Sequence, residues 1–168
     1  MPEKKTIERA REDEREGKSA STQAGEFVRE EMEHIREGKH GARSTKQAIA
    51  IGLSKARRAG VKLQPPKEGA ASSQVQQHAE SDLRKGEHGR QKPSATRSRA
   101  TSNALKREGH AAASKTNLAR QARSSARARG PAARHQAAEK AVRTKGEAGL
   151  KSAARKAART RAGERRAA

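Results

Sequence analysis

Six histidines, nineteen carboxylates and a scatter of serines are the side chains through which this 168-residue chain could do acid–base or nucleophilic chemistry. Their spacing steers away from catalysis. His34, His40, His78, His88, His110 and His135 never fall three or four apart, the spacing at which one helix aims two imidazoles at one ion. They read as solvated side chains, and no metal site or cofactor is expected. None of the serines sits in a Gly-x-Ser-x-Gly elbow. Cysteine is absent, which removes disulfides, thiolate metal sites and thiol nucleophiles together. Gly17-Lys18-Ser19 resembles the end of a phosphate loop, but Glu12 stands where the upstream glycine belongs and no strand pattern precedes it. An enzyme is not expected, nor a small-molecule substrate.

The cationic side chains carry the signal instead. Forty Lys and Arg face nineteen Asp and Glu, a formal net charge of +21. Residues 1–60 are nearly balanced, with fourteen basic and eleven acidic side chains, whereas residues 91–168 hold twenty-one basic and four acidic. A one-signed block of this length repels itself and needs a polyanion to neutralise it. Nucleic acid is the expected partner, DNA ahead of RNA, bound through phosphates by counterion release. Phe27 is the only aromatic, so a mode that stacks exposed bases is not expected. Two stripes stand out: Arg120, Arg123 and Arg127 on one face of a helix over 115–129, and Lys151, Arg155 and Arg159 at every fourth position, joined by Lys156. Arg97, Arg99, Lys106, Arg107, Lys115, Arg129, Lys140, Arg143 and Arg161 extend the set. Nearer the N-terminus, Arg43, Lys46 and Gln47 open one helix and Lys55, Arg57 and Arg58 close it. In a helix-turn-helix the first of these groups would read bases.

The elements that must position these residues are helical. Gly17, Gly38, Gly60, Gly86, Gly109, Gly130, Gly146 and Gly163 punctuate the chain at near-regular pitch. Most follow a basic residue two back, the pattern of a helix end with glycine at C′. Arg15-Glu-Gly-Lys18 is echoed by Arg36-Glu-Gly-Lys39 and, more faintly, by Arg107-Glu-Gly-His110, as in a duplicated unit. Helices are expected over about 3–16, 22–37, 45–59, 73–85, 95–108, 115–129, 132–145 and 149–162. Two carry apolar faces: Phe27, Val28, Met32 and Ile35 in one, Ile49, Leu53 and Ala56 in the next. Ser44 with Gln47 makes a capping box.

The expected fold class is therefore all-α: a small helical hairpin module over 1–63, then a basic Ala/Lys/Arg-rich tail over 64–168. Pro65-Pro66 marks the boundary. Hydrophobic residues are only 30% of the chain, and the large aliphatics beyond residue 63 are Val75, Leu83, Leu105, Leu118, Val142 and Leu150. So few cannot offset a backbone ordering cost of ~1–2 kcal/mol per residue, so the tail is expected to be disordered when free and to gain helix on DNA. The longest apolar run, Ala48–Leu53, is far too short to span a membrane, and the charged N-terminus lacks the apolar segment of a secretory signal. The expectation is a cytoplasmic, nucleoid-associated, histone-like protein that compacts, protects or maintains DNA. An RNA-binding or ribosome-associated role is one alternative. Another is self-association or a protein partner docking through residues 20–60.

The stretch from Lys4-Lys-Thr-Ile-Glu-Arg-Ala10 through Arg36-Glu-Gly-Lys-His-Gly-Ala-Arg-Ser-Thr-Lys-Gln-Ala48 to Gly60 resembles an uncharacterised family of small basic bacterial proteins. Some members of that family are labelled plasmid-stabilisation or DNA-binding. The resemblance implies a role in plasmid maintenance but assigns no functional residue. The remainder is similar in composition to the tails of bacterial linker-histone-like proteins.

Overall fold

The computed structural model describes residues 2–88 and 94–166, and all regular structure among them is helical. The elements are α1 (Lys4–Arg15), α2 (Ala20–Arg36), α3 (Thr45–Arg58), α4 (Ser73–Glu87), α5 (Ala95–Lys106), a 3-10 turn at Ala111–Ala113, α6 (Lys115–Ala128) and α7 (Gly130–Arg166). Within α7, Gly146 adopts φ 65, ψ 173 and breaks the helix into two arms, close to the expected 132–145 and 149–162.

Helix ends follow the local chemistry of the sequence. Gly17 and Gly38 take positive φ, and each closes its helix with the paired bonds of a Schellman turn. Lys18 N donates to Asp13 O and Gly17 N to Glu14 O; Lys39 N donates to His34 O and Gly38 N to Ile35 O. At the start of α3, Ser44 accepts from Gln47 N at 3.2 Å while the Gln47 side chain accepts from Arg43 N at 2.9 Å, so the expected capping box forms with its return bond shifted one residue ahead of the cap. Gly86 and Gly109 were expected to be helix caps of the same kind, and they are not. Neither has positive φ, and Gly86 lies inside α4.

α2 and α3 pack antiparallel. Phe27 and Ala24 share one buried cluster with Ala10, Ala56 and Val61; Met32 and Ile35 share another with Ala42, Ala48, Ala112 and Ala113. Between them, Gly52 lies against the Val28 backbone, where an added Cβ would sit 2.7 Å from Val28 Cα. The expected hairpin is therefore present, with α1 laid along α2 and α4 along α3. Phe27 and Ile35 are 1% and 0% exposed, and burial of each stabilises the unit by about 1.5–3 kcal/mol.

The expectation of a disordered tail is corrected: the described part of residues 64–168 is largely helical. Up to residue 121 it belongs to the same compact unit as the module, and residues 122–168 form a second unit. The physical reason is that docking here uses mainly small residues and backbone, so it needs few large aliphatics. Gly41 N donates to Leu105 O at 2.9 Å and Ala42 N to Gly109 O at 3.1 Å, tying the end of α5 to the α2–α3 connector. Ala112 and Ala113 are 4% and 0% exposed, and Leu118 packs beside them. Thr45 Oγ1 donates to Ala112 O at 2.6 Å and Arg36 Nε to Ala113 O at 3.1 Å. α4 is held by Ser54 Oγ donating to Asp82 Oδ2 at 2.5 Å and by Gly86, whose Cα faces the Arg57 carbonyl. Beyond residue 121, alanine's high intrinsic propensity accounts for helix in α7 on either side of Gly146.

Candidate nucleic-acid interface

Helical geometry decides which cations share a face. At 100° per residue, Arg120, Arg123 and Arg127 fall within about 60° of arc on α6, and Lys151, Arg155 and Arg159 within about 80° on the second arm of α7. All six are exposed, as are Arg129, Lys140, Arg143, Lys156 and Arg161. Few carboxylates compete for them. Between residues 109 and 163 the chain has fourteen Lys and Arg but only Glu139 and Glu147. Glu147 pairs with Lys151 at 2.7 Å one turn on, and Glu139 faces His135 at 3.5 Å. Arg120 Nη1 donates to Asn117 Oδ1 at 3.0 Å, which orients it along α6. Arg97 and Arg99 are exposed on α5, and Lys106, Arg107 and Lys115 are exposed at its end and on α6.

The N-terminal candidates divide. Arg43, Lys46 and Arg58 are exposed, while half-buried Gln47 has its side chain committed to the capping box. Arg57 was expected on a binding surface and is instead 7% exposed. Its Nε donates to Leu63 O at 3.0 Å and its Nη2 to Gln64 O at 3.3 Å, so it clamps the chain leaving α3. Burial pushes its pKa down, and the Asp82 charge partly restores it. Lys55 is likewise engaged within the module, its Nζ lying 2.6 Å from Glu31 Oε2 and 3.4 Å from Glu30 Oε1. At the start of α3, Thr45 is buried beneath the 3-10 turn while Arg43 and Lys46 on either side of it stay exposed.

A second constellation, of opposite sign, lies where α2 meets its connector. Glu30 and Glu31 are 3% and 0% exposed. Glu30 Oε2 accepts from Glu3 N at 3.0 Å, and Glu3 Oε1 lies 2.9 Å from His34 Nε2 and 3.3 Å from Lys39 Nζ. The hydrogen bond with His34, then that with Lys39, holds the Glu3 carboxyl below its ordinary range. His40 Nε2 lies 3.4 Å from Glu31 Oε1. Sequence spacing gave no sign of this grouping. Glu31 and His34 share a face of α2 as i, i+3, but His40 arrives only because the glycine turn at Gly38 folds the connector back. The sole local signal was the Glu-x-x-His pair.

Residues 15–68 match the model of a family of unknown function, DUF6496. The match starts later than the resemblance over 4–60 and continues through Pro65-Pro66. No curated protein matches the chain, and no solved structure does. The plasmid-stabilisation and DNA-binding labels thus have no named relative behind them.

Proposed function

We propose that this protein binds duplex DNA without sequence preference, by neutralising phosphates along the exposed basic faces of α6 and α7. One observation carries the reading: fourteen basic side chains against two carboxylates between residues 109 and 163, with each described cation there exposed. Solubility alone is served by interspersed charges of both signs, and a one-signed surface is not needed for it. Arg stripes with alanines beside them let a helix approach the phosphate backbone closely, and contacts to phosphates carry no sequence information. The role that follows is architectural, compaction or protection of DNA. Arg43 and Lys46 at the start of α3 and Arg58 at its end are further exposed cations, whereas Lys55 and Arg57 are engaged within the module.

Titration of the full chain with a short DNA duplex over a series of salt concentrations tests the reading. With about eight phosphates neutralised, log affinity should fall against log salt with a slope of about −7. A slope shallower than about −3, or binding retained at high salt, overturns it. The same series with duplex RNA separates the two nucleic acids: tenfold tighter RNA binding at matched salt would replace DNA with RNA as the partner.

A further inference from the structure

We infer that Glu31, His34 and His40 form a binding site for one divalent transition-metal ion, Zn²⁺ being the best fit. One ligand atom from each of the three lies within 4.8 Å of the others. Imidazole and carboxylate donors without thiolate suit zinc, and three protein ligands leave a fourth position for water.

The hydrogen bonding around the cluster supports the ion independently of proximity. Glu31 Oε1 is fully buried and accepts no hydrogen bond, although Oε2 of the same carboxylate is held by Lys55. A buried carboxylate oxygen left without a partner costs about 1–3 kcal/mol or more. It is aimed at His40 Nε2, 3.4 Å away. The other nitrogen of that ring, Nδ1, lies 3.1 Å from Gly41 O, which can only accept, so the proton sits on Nδ1. In the neutral ring Nε2 then presents a lone pair to an oxygen lone pair, a contact that a cation between them would relieve. Two ligands about 2.0–2.1 Å from a tetrahedral zinc are about 3.3–3.4 Å apart, the separation observed.

Both imidazoles already have the outer partners that metal-bound histidines use. His40 donates to the Gly41 carbonyl, and His34 Nε2 faces the Glu3 carboxylate at 2.9 Å. The surrounding charge is also favourable: Glu3, Glu30 and Glu31 outnumber Lys39 and Lys55 even before Glu37 is counted. The alternative that fits the same distances is a protonated His40 paired directly with Glu31, and it predicts no metal binding. The ion would fasten the last turn of α2 to its connector, and so hold the segment that receives residues 105–113.

Tag-free full-length protein, stripped with chelator and dialysed, is titrated with Zn²⁺ by calorimetry and with Co²⁺ by absorption spectroscopy. One equivalent should bind with Kd below about 10 µM, Co²⁺ should give the intense visible bands of a tetrahedral site, and zinc at ~100 times Kd should raise Tm by roughly 5 °C or more. His40→Asn, at a side chain only 16% exposed but bordering the surface, should weaken binding at least thirtyfold, whereas His135→Asn in α7 should leave it unchanged. Circular dichroism of the metal-free His40→Asn protein establishes that it is folded; if it is not, His34→Asn replaces it. No saturable binding below about 100 µM, or equal affinity in the His135→Asn and His40→Asn proteins, overturns the assignment. Neither outcome depends on nucleic-acid binding.

Discussion

Glycines in this chain do two separable jobs, and single substitutions tell them apart. Gly52 and Gly86 are points of backbone approach: a Cβ at Gly52 would lie 2.7 Å from Val28 Cα, and one at Gly86 would lie against the Arg57 carbonyl oxygen. Gly52→Ala and Gly86→Ala should each destabilise the first unit by about 1–3 kcal/mol, read as a lowered urea midpoint with the slope unchanged. Gly25 sits on the exposed side of α2 with nothing within 4 Å of its Cβ position. Gly25→Ala should stabilise by about 1 kcal/mol, since alanine loses less backbone freedom in a helix. At the same scale, Thr45→Val removes the donor to the Ala112 carbonyl and should cost about 1–2 kcal/mol in the same assay.

Among the elements, α4 and the 3-10 turn decide how far the N-terminal unit extends. They pack on α3, and on both α2 and α3, respectively. A fragment of residues 1–121 should therefore unfold in one cooperative transition, while residues 1–63, with Met32, Ile35 and Ala48 uncovered, should melt at least 10 °C lower or not cooperatively at all. Equal melting temperatures for the two fragments would show that the docking of 64–121 contributes nothing. Helix in α6 and α7 exists before any ligand arrives, so far-UV circular dichroism of the full chain should change little when DNA is added. A large gain in helix on DNA would restore coupled folding.

For the molecule as a whole, charge rather than shape sets the expected behaviour. Each phosphate neutralised adds about 0.9 to the magnitude of the salt slope. Replacing Lys151, Arg155 and Arg159 together with Gln should make the slope shallower by about 2 to 3 and weaken binding alike on all sequences, with melting of residues 1–121 unaffected. Replacing Lys55 or Arg57 should do the reverse, lowering stability through the lost Glu31 contact or the lost carbonyl clamp while leaving the salt slope unchanged. Among the described residues no helix is long and apolar enough to cross a membrane.

What the sequence determined by itself was local or additive. Ser44 and Gln47 announced the start of α3, Gly17 and Gly38 announced helix ends, and a helix was expected near each α-helix, with α7 expected as two. Net charge and its concentration beyond residue 91 are sums over residues, so no fold was needed to see them. Tertiary structure alone decided which distant residues meet. Docking through Gly41, Gly86, Ala112 and Ala113 is written in the absence of side chain, and hydrophobic patterning responds only to side chains that are present. Arg57 and Lys55 have the same composition signal as Arg123, yet burial converts one into a clamp and the other into a partner for buried carboxylates. His40 joins Glu31 and His34 only through the turn at Gly38, a three-dimensional adjacency that neither the helical nor the strand period encodes.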